Sequence, residues 1–288
     1  MKLVTYNIQY SLGKDGRFDL TRIAESVRGA DVIALQEVDR HIQRTDDVDQ
    51  PARLAELLPE YYWIYGPPID LNGSERSANG QIVHRRRQYG NMLLSRWPIL
   101  SSRLHLLPKF RSYTQSNGQR GALEGVIVAP SGHLRVYSIH LSSLSAEERL
   151  AQLDYLLPRL LDLSREGGIC TGPTWGPYEE TPMPESYVIM GDCNFTPQSR
   201  EYNQVVGEAD YYYGRIVLGH HLVDSWTQSG HGQDEGATWY DLENSKSLPL
   251  RLDYGFVSPD LADKVQNARI DEDATGSDHQ PYWFELEL

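Results

Sequence analysis

Six separate segments of this sequence carry an acidic, amide or imidazole side chain at an end of, or within, an apolar and strand-like run. The side chains concerned are those of Asn7, Glu37, His140, Asp192, Asn194, Asp253, Asp278 and His279. Strand ends are positions at which a rigid scaffold can bring distant side chains to one place. We therefore expect these residues to meet at one rim of the molecule.

Two short spacings within this set have geometric consequences. Residues two apart in an extended chain point to the same side, so Asp192 and Asn194 are expected to face one site while Cys193 faces away. Asp278 and His279 stand just before the last apolar run, QPYWFEL. Buried charge is costly unless it is paired or holds a metal. These two side chains are therefore expected to meet partners from elsewhere in the chain.

The chemistry of the set favours hydrolysis of a phosphoester. An asparagine, a glutamate and two or three aspartates offer hard oxygen ligands, which suit Mg²⁺ or Mn²⁺ better than zinc. Two histidines add general acid or base groups near neutral pH. A metal ion, an oriented water and a protonated imidazole together can meet the charge that develops on phosphoryl oxygens.

Each residue also has a simpler structural explanation when it is taken alone. Glu37 resembles a solvated strand end, Asn7 a turn residue and His140 a half-buried histidine with its hydrogen bonds satisfied. The segments GDCN and SDH are weakly specific by themselves. The functional hypothesis depends on all of them occurring together, in one order, on strand ends.

Composition narrows the classes of function. The chain has 288 residues, is 40% hydrophobic and has a formal net charge of −13. An acidic protein repels nucleic-acid phosphates at long range, which disfavours a duplex-gripping function. Two cysteines make no disulfide framework, and no run approaches the ~20 apolar residues of a membrane span. We expect a soluble, cytoplasmic protein with no obligate protein partner.

Apolar spacing predicts a mixture of elements in which strands outnumber helices. Helices are predicted after Asp19, as an N-cap, and after Ser145, which forms a capping box with Glu148. Residues 67–88 are polar and predict a long loop, and the Gly- and Pro-rich residues 167–186, around Trp175, predict another that could act as a lid. No linker divides the chain, so we expect one α/β domain over residues 1–288 with mixed or antiparallel sheets.

The ordered set of motifs resembles the endonuclease/exonuclease/phosphatase family of metal-dependent hydrolases. The stretches that carry the resemblance are TYNIQY, ALQEVD, YGNMLLSRWPI, SIHLSS, IMGDCNFTP, RLDYGFVS and SDHQPYWFEL. They extend over essentially the whole chain and are highly specific together. The resemblance implies a DNase I-like four-layer α/β sandwich, in which two mixed, mostly antiparallel sheets pack face to face and the site lies at one edge.

The resemblance also implies roles for the oxygen-bearing residues. Glu37 would be the main ligand of Mg²⁺, or alternatively of Mn²⁺, helped by Asn7 and Asp278. Asp192 would orient or deprotonate the attacking water, and Asn194 would hold phosphate or water beside it.

The histidines complete the implied set. His279 would face the phosphate and pair with Asp253, which fixes its tautomer and favours its charged form. His140 would donate to a phosphoryl oxygen or to the leaving group. A histidine at this position is typical of the sphingomyelinase-like, inositol-phosphatase-like and DNase I-like branches, whereas apurinic-site endonucleases carry tyrosine there. The segments QRGALEG and YGNMLLSRWPI are most similar to a bacterial branch akin to lipid phosphodiesterases.

Two arginines are candidates for substrate binding. Arg120 lies in QRGALEG, and Arg86 lies in HRRR, the one dense basic run of an acidic chain. A solvated strand edge and a solvated loop are the respective alternatives. The leading hypothesis is a Mg²⁺-dependent phosphodiesterase or phosphatase that acts on a small or lipid-derived phosphoester. A DNA or RNA nuclease of the same family and a catalytically silent binding or scaffold protein remain as alternatives.

Overall fold

The computed structural model describes residues 1–173, 176, 178–242 and 247–288. Its strands are β1 (Lys2–Asn7), β2 (Val32–Arg40), β3 (Tyr62–Asn72), β4 (Glu75–Arg76), β5 (Ile82–Val83), β6 (Arg86–Ser95), β7 (Ile99–Leu106), β8 (Gly121–Ala129), β9 (Gly132–His140), β10 (Tyr187–Asp192), β11 (Ala209–Asp210), β12 (Gly214–Arg215), β13 (Val223–Asp224), β14 (Asp253–Val257), β15 (Val265–Ile270) and β16 (Tyr282–Leu286). Its α-helices are α1 (Leu20–Val27), α2 (Gln50–Leu57), α3 (Ala146–Leu161), α4 (Leu163–Glu166), α5 (Arg200–Val206) and α6 (Ser225–Gln228). None of the helices in this described part is long and apolar enough to cross a bilayer.

Two mixed sheets of six strands form the centre of the structure. The first has the order β15-β16-β1-β2-β6-β3 and the second β13-β14-β10-β9-β8-β7. Each sheet has a single parallel pair, β1 with β2 and β9 with β10, and the remaining neighbours are antiparallel. The predicted sheet type is confirmed.

Three apolar clusters separate four layers. Leu93 of the first sheet and Met190 of the second belong to the cluster between the sheets. A second cluster packs Ile23 of α1 and Leu54 of α2 against the outer face of the first sheet. The third cluster packs α3 and α5 against the outer face of the second sheet. Since burying one such side chain stabilises the fold by about 1.5–3 kcal/mol, these clusters hold the layers together, and the four-layer sandwich is confirmed.

The inner faces of four strands are apolar in the middle of the sandwich and polar toward one end of it. Apolar residues of the inter-sheet core lie on these faces at Leu3, Val136, Met190 and Val257. At even spacing along the same strands come the polar residues Asn7, His140, Asp192 and Asp253. Because side chains alternate between the two faces of a strand, each polar residue shares its face with the apolar residue on the same strand. The inter-sheet core therefore ends in ionisable side chains.

A layer of neutral polar residues lies between the apolar core and this end. Thr5 Oγ1 donates to Gln36 Oε1 at 3.2 Å, and Gln36 Nε2 donates to Ser138 Oγ at 2.9 Å. Asn91 Nδ2 donates to the carbonyls of Gly121 and Ser138, each at 2.9 Å. All of these side chains are buried, so the hydrogen bonds between them offset the cost of removing their polar groups from water. This layer links both sheets directly beneath the ionisable residues.

The structure differs from the predicted loop at residues 67–88. β3 continues through Pro67 and Pro68 to Asn72, and β6 begins at Arg86, so most of the segment is an extended antiparallel ribbon tipped by β4 and β5. The pairing shifts between Gly66 and Ile69. Proline cannot donate to a ladder, but an edge strand with an irregular register tolerates it, and β3 is an edge strand. The predicted loop is therefore wrong, because an exposed edge ribbon is as polar as a loop.

The two predicted helix starts are present, with one difference in detail. Asp19 accepts from the backbone N–H of Thr21, and Ser145 accepts from that of Glu148. The carboxylate of Glu148 does not return to the Ser145 backbone as a capping box requires. It accepts instead from the Phe110 N–H and the Asn117 amide, each at 2.8 Å, because the β7–β8 connection covers this end of α3. Trp175, on which the lid hypothesis for residues 167–186 depended, lies outside the described residues.

Candidate active site

A cavity of about 490 Å³ opens where the inner faces of the two sheets end. Its lining includes the predicted site residues Glu37, Arg120, His140, Asp192, Asn194, Asp278 and His279. Asn7 and Asp253 are buried and contact residues of this lining directly. The structure thus brings together nine of the ten residues selected from the sequence. Arg86 is the exception, because its guanidinium donates to Asp70 Oδ1 at 2.8 Å on the exposed ribbon and it does not line the cavity.

The most buried part of the site is a carboxylate–imidazole array. His279 Nδ1 lies 2.7 Å from Asp253 Oδ2, and His279 Nε2 lies 3.8 Å from Asp192 Oδ2. The three side chains can place one ligand atom each within 4.8 Å of one another. Asp253 Oδ2 accepts from Nδ1, which fixes the tautomer and leaves Nε2 directed toward Asp192.

Burial and neighbouring charges act in opposite directions on this array. Burial disfavours the charged form of His279, but the carboxylates of Asp253 and then Asp192 outweigh it and raise the pKa of His279 to about 10. Burial raises the pKa of Asp192 to about 7. The charge of His279 lowers this pKa, but the Asp253 carboxylate raises it and so opposes that effect. The array therefore holds a protonated imidazole beside a carboxylate that can exchange a proton near neutral pH.

Asn7 joins the two sheets within the site. Its Nδ2 donates to Asp192 Oδ2 at 2.9 Å and to Glu37 Oε1 at 3.3 Å, while its Oδ1 accepts from the Gln9 N–H at 3.1 Å. Asn7 ends β1 in the first sheet and Asp192 ends β10 in the second. One amide thus holds carboxylates that come from opposite sheets.

Glu37 reaches the cavity through an irregularity of β2. Simple alternation would place Glu37 on the helix-facing side, opposite to Gln36. The pairing of β2 with β6 shifts between Leu35 and Val38, and Glu37 adopts the left-handed region with φ of +60°. A β-bulge of this kind re-aims a side chain, at a cost of about 1–3 kcal/mol for the left-handed residue. The carboxylate is thereby turned toward Asn7.

Asp278 is held from two directions at the mouth of the cavity. Ser277 Oγ donates to Asp278 Oδ1 at 3.2 Å, and Trp239 Nε1 donates to Asp278 Oδ2 at 3.1 Å. Ser277 Oγ also lies 2.8 Å from the backbone oxygen of Asn7. The Ser-Asp-His segment is therefore fixed against the end of β1.

Asn194 lies just beyond the end of β10 in a left-handed turn with φ of +52°. Its backbone N–H donates to Asp192 Oδ1 at 2.9 Å, and its Nδ2 donates to the carbonyl of Leu141 at 3.2 Å. Cys193 packs in the outer core, away from the cavity. Asp192 and Asn194 face one site as expected, but a turn, rather than strand alternation, produces this arrangement.

Gly191 explains why this strand end needs a glycine. Its φ is +154°, and a Cβ atom built there would lie 1.9 Å from the carbonyl oxygen of Ile139 on the neighbouring strand β9. No other residue fits that approach without moving β9. The glycine therefore allows β9 and β10 to deliver His140 and Asp192 side by side.

His140 and Arg120 also line the cavity, next to Asp192. Arg120 Nη1 lies 2.8 Å from His140 Nε2, which is itself 3.4 Å from Asp192 Oδ2, and Arg120 Nη2 donates to Ser143 Oγ at 3.0 Å. Burial, reinforced by the Arg120 guanidinium and by His279, holds the pKa of His140 well below its ordinary range. His140 is therefore neutral where His279 is charged.

The donor set fits a hard divalent cation. Carboxylates of Glu37, Asp192 and Asp278 face one cavity. The hydrogen bonds to Glu37 and Asp278 from Asn7 Nδ2, Ser277 Oγ and Trp239 Nε1 come from neutral groups, whereas Asp192 has the protonated His279 beside it. Converging carboxylates repel each other unless a cation or a proton is present. Oxygen ligands without cysteine are those that Mg²⁺ and Mn²⁺ take in proteins.

Several residues that line or support the site were not found from the sequence. Trp239 forms single bridges with Leu250 and His279, in a segment without any strand pattern. Tyr89 lies beside Glu37, and burial, followed by the Glu37 carboxylate, raises the pKa of Tyr89 well above its ordinary value. Ser277 could have been noticed as the neighbour of Asp278. No spacing relates Trp239 or Tyr89 to the site, because their contacts are made across the fold.

Comparisons with known proteins identify the family of this chain. A family model described as the Endonuclease/Exonuclease/phosphatase family matches residues 4–279. A solved endonuclease/exonuclease/phosphatase from Beutenbergia cavernae DSM 12333 is 22% identical, with a TM-score of 0.67 over 100% of this chain and 71% of that chain. No curated protein sequence matches at a significant level.

Two further similar structures are those of phosphatases. A mannosyl-6-phosphatase from Bacteroides thetaiotaomicron VPI-5482 is 17% identical, with a TM-score of 0.65 over 100% of both chains. A 3′ phosphatase from Neisseria, bound to product DNA hairpin, is 16% identical, with a TM-score of 0.60 over 100% of both chains. At these identities the structures share the fold alone. The family model, however, spans every segment that supplies a side chain to the cavity, and this chain belongs to the Endonuclease/Exonuclease/phosphatase family.

Proposed function

We propose that this protein is a phosphoester hydrolase that depends on Mg²⁺ or Mn²⁺ and acts on a small or lipid-derived phosphoester. The observation that carries the proposal is the placement of the Asp253–His279–Asp192 array in the same cavity as Glu37 and Asp278. One part of the cavity offers oxygen ligands, and the adjoining part offers a proton donor and a proton acceptor. This is the division of labour that metal-assisted attack of water on phosphorus requires.

The residues of the chain have separable tasks in such a reaction. Glu37 and Asp278 would hold the cation, which would supply Lewis-acid polarisation of a phosphoryl oxygen. Asn7, whose Nδ2 donates to Glu37 and Asp192, would orient these carboxylates instead of binding the cation as the sequence predicts. Asp192 accepts the proton of the attacking water and is kept in place by Asn7 Nδ2 and by the Asn194 N–H.

The nitrogen donors stabilise the charge that develops on the phosphoryl group. His279, held at Nδ1 by Asp253, donates from Nε2 to a phosphoryl oxygen. Arg120 contributes a fixed positive charge beside the neutral His140, which donates to a phosphoryl oxygen or to the leaving group. Arg86 takes no part in this proposal, because it is paired with Asp70 outside the cavity.

Substrate class is the finer part of the proposal. The net charge of −13 supports a small or lipid-derived substrate over a nucleic-acid duplex. The histidine of SIHLSS supports the sphingomyelinase-like, inositol-phosphatase-like and DNase I-like branches over the apurinic-site endonucleases, and the segments QRGALEG and YGNMLLSRWPI support a lipid phosphodiester as substrate. The structural similarity to a mannosyl-6-phosphatase supports a small phosphomonoester as an alternative. The similarity to a 3′ phosphatase bound to DNA favours a nucleic-acid substrate as the second candidate.

A substrate panel tests the proposal. Sugar phosphates, nucleotides, glycerophospholipids, sphingomyelin, plasmid and single-stranded DNA are each incubated with Mg²⁺ or Mn²⁺, with and without EDTA. We expect metal-dependent release of phosphate or phosphoalcohol from a small or lipid substrate, abolished in His279→Ala. Cleavage of DNA alone would favour the nuclease. Inactivity on the whole panel, together with no metal binding, would favour a silent binding protein.

A further inference from the structure

A buried glutamine outside the cavity joins the two segments that present Asn7 and Glu37. Gln50 is the first residue of α2 and is only 1% exposed. Its Oε1 accepts from the backbone N–H of Asp39 at 2.9 Å, and its Nε2 donates to the carbonyl of Tyr10 at 2.8 Å. Nε2 also donates to Ser11 Oγ at 3.2 Å. One side chain thus satisfies groups on the segment that follows β1 and on β2.

Both of these segments leave regular extended backbone at the site. The three consecutive residues Gln9, Tyr10 and Ser11 have φ of +42°, +44° and +69°, directly after Asn7 and Ile8. Glu37 has φ of +60°, two residues before Asp39. Residues other than glycine keep such conformations only where the surrounding structure enforces them. Gln50 supplies hydrogen bonds to the chain immediately beyond each irregular stretch.

The helix that carries Gln50 is itself fixed against the first sheet. Asp49 caps α2 by accepting from the Ala52 N–H, and its carboxylate also accepts from Arg40 Nε at 2.8 Å. Leu54 of α2 is fully buried in the cluster that covers this sheet. The backbone of Gln50 is therefore fixed by α2, and its side-chain hydrogen bonds can restrain both segments.

We propose that Gln50 is a positioning residue of the cation site, which holds the Asn7 and Glu37 segments at a fixed separation and so sets the affinity for the divalent ion. The inference rests on the proposed function, because it requires that Glu37, held by Asn7 Nδ2, binds a cation. Residues that orient metal ligands change the affinity by about 10-fold to 100-fold when they are removed. A residue that only stabilises the fold would leave the affinity of the folded protein unchanged.

The test is metal-binding calorimetry with Mn²⁺ on EDTA-treated full-length protein, well below the melting temperature of each variant. Gln50→Met removes the three hydrogen bonds while nearly keeping the side-chain volume. We expect its Kd for Mn²⁺ to rise at least about 10-fold relative to wild type. Should Gln50→Met fail to fold, Gln50→Asn, whose shorter side chain cannot span both segments, replaces it with the same expected direction.

The matched control is Gln152→Met. Gln152 is also fully buried, accepts from the Ser142 N–H at 2.9 Å and donates to the carbonyl of Pro108 at 3.0 Å, but it joins neither cation-binding segment. We expect a loss of melting temperature of similar size and a Kd for Mn²⁺ within about 2-fold of wild type, since the oriented ligands are untouched.

The possible results separate the two proposals. If wild type binds Mn²⁺ and Gln50→Met binds it equally well, or if Gln152→Met weakens binding as much, the inference about Gln50 is wrong and the proposed function stands. If wild type binds no divalent ion, both the proposed cation site and the inference about Gln50 are wrong. A second readout is the rate of hydrolysis as a function of Mn²⁺ concentration. At saturating metal, the kcat of Gln50→Met should approach that of wild type.

Discussion

Two buried histidine–carboxylate pairs of equal length occur in this molecule, at opposite faces of the second sheet. His279 Nδ1 lies 2.7 Å from Asp253 Oδ2 on the inner side, and His105 Nε2 lies 2.7 Å from Glu124 Oε2 on β7 and β8. The His105 ring centroid is 6.3 Å from that of Tyr137, a member of the outer core. Distance and burial alone do not separate the two pairs.

The surroundings of the two pairs differ in charge and in access. His279 has a second carboxylate, Asp192, at 3.8 Å, and it lines an open cavity. Glu124 instead has cations as its neighbours. Burial would raise the pKa of Glu124, but its hydrogen bond to His105, the charge of that residue and the guanidinium groups of Arg103 and Arg135 lower it below its ordinary value. The charge of Glu124 is therefore balanced by cations within the outer core, whereas His279 shares an open cavity with two carboxylates.

The largest expected difference between the pairs is in catalysis. His279→Gln should lower kcat/KM on the substrate found in the panel by about 10²–10⁴-fold, because it removes the donor that faces the phosphoryl group. The measurement is initial rate at saturating metal, below the melting temperature of the variant. His105→Gln is the matched control and should retain the rate within about 3-fold. Equal losses in the two variants would remove the functional distinction.

Asp192→Asn should separate activity from stability. Burial disfavours the charged form of this carboxylate and the neighbouring Asp253 repels it, and together they outweigh the attraction of His279, so neutralising Asp192 removes an unfavourable charge from the metal-free protein. We expect a loss of activity of about 10²–10⁴-fold together with a melting temperature equal to or above that of wild type, as is common where a functional site is not optimised for stability. Differential scanning calorimetry without metal provides the second measurement. A clear fall in melting temperature would show that the array is a structural network.

The outer pair should matter for stability alone. Glu124→Gln replaces the buried carboxylate that bonds His105 with a neutral amide, and the expected loss of unfolding free energy is about 1–3 kcal/mol. Urea unfolding of Glu124→Gln, His105→Gln and the double variant gives the coupling energy of the pair. A coupling near zero would mean that burial, rather than the pair, stabilises this part of β7 and β8.

The smallest expected effect is the pH dependence of the stability difference between wild type and Glu124→Gln. Because the pKa of Glu124 is lowered in the folded protein from its ordinary 4.5, its contribution is fully present above pH 4.5 and is lost as the pH falls through the folded-state pKa. The difference in unfolding free energy between wild type and Glu124→Gln should therefore shrink below pH 4.5. The same urea series at several acidic pH values checks this, and a difference that grows toward low pH would contradict the assigned direction.

Much of this architecture could be predicted from local sequence patterns. The buried strand at Val32–Arg40 and the helix after Asp19 follow from apolar spacing and a capping residue, which act over a few neighbours. Local patterns were less informative at edges. The polar segment 67–88 was predicted as a loop because an exposed edge ribbon lacks the apolar alternation of a covered strand.

Some features of the site could likewise be predicted from the sequence, and others could not. Types and order of residues were sufficient to select Glu37, Asp192 and His279, which line one cavity in the structure. Arg86 was selected for its charge, and only the fold shows that Asp70 holds it away from that cavity. Alternation by itself would have turned Glu37 outward. The bulge that redirects it depends on how β2 pairs with β6, which no local pattern encodes.

The sequence by itself determined which ionisable side chains end the strands and hence what chemistry they can perform, because residue type and strand spacing are local properties. Tertiary structure alone decided which of them meet and what holds them. Asn7 reaches Asp192 across 185 positions of chain, and Gln50 joins the segments beyond Asn7 and Glu37. Contacts of that range arise only when the two sheets close on their shared core, since the hydrogen bonds of a buried polar group depend on what the fold places beside it.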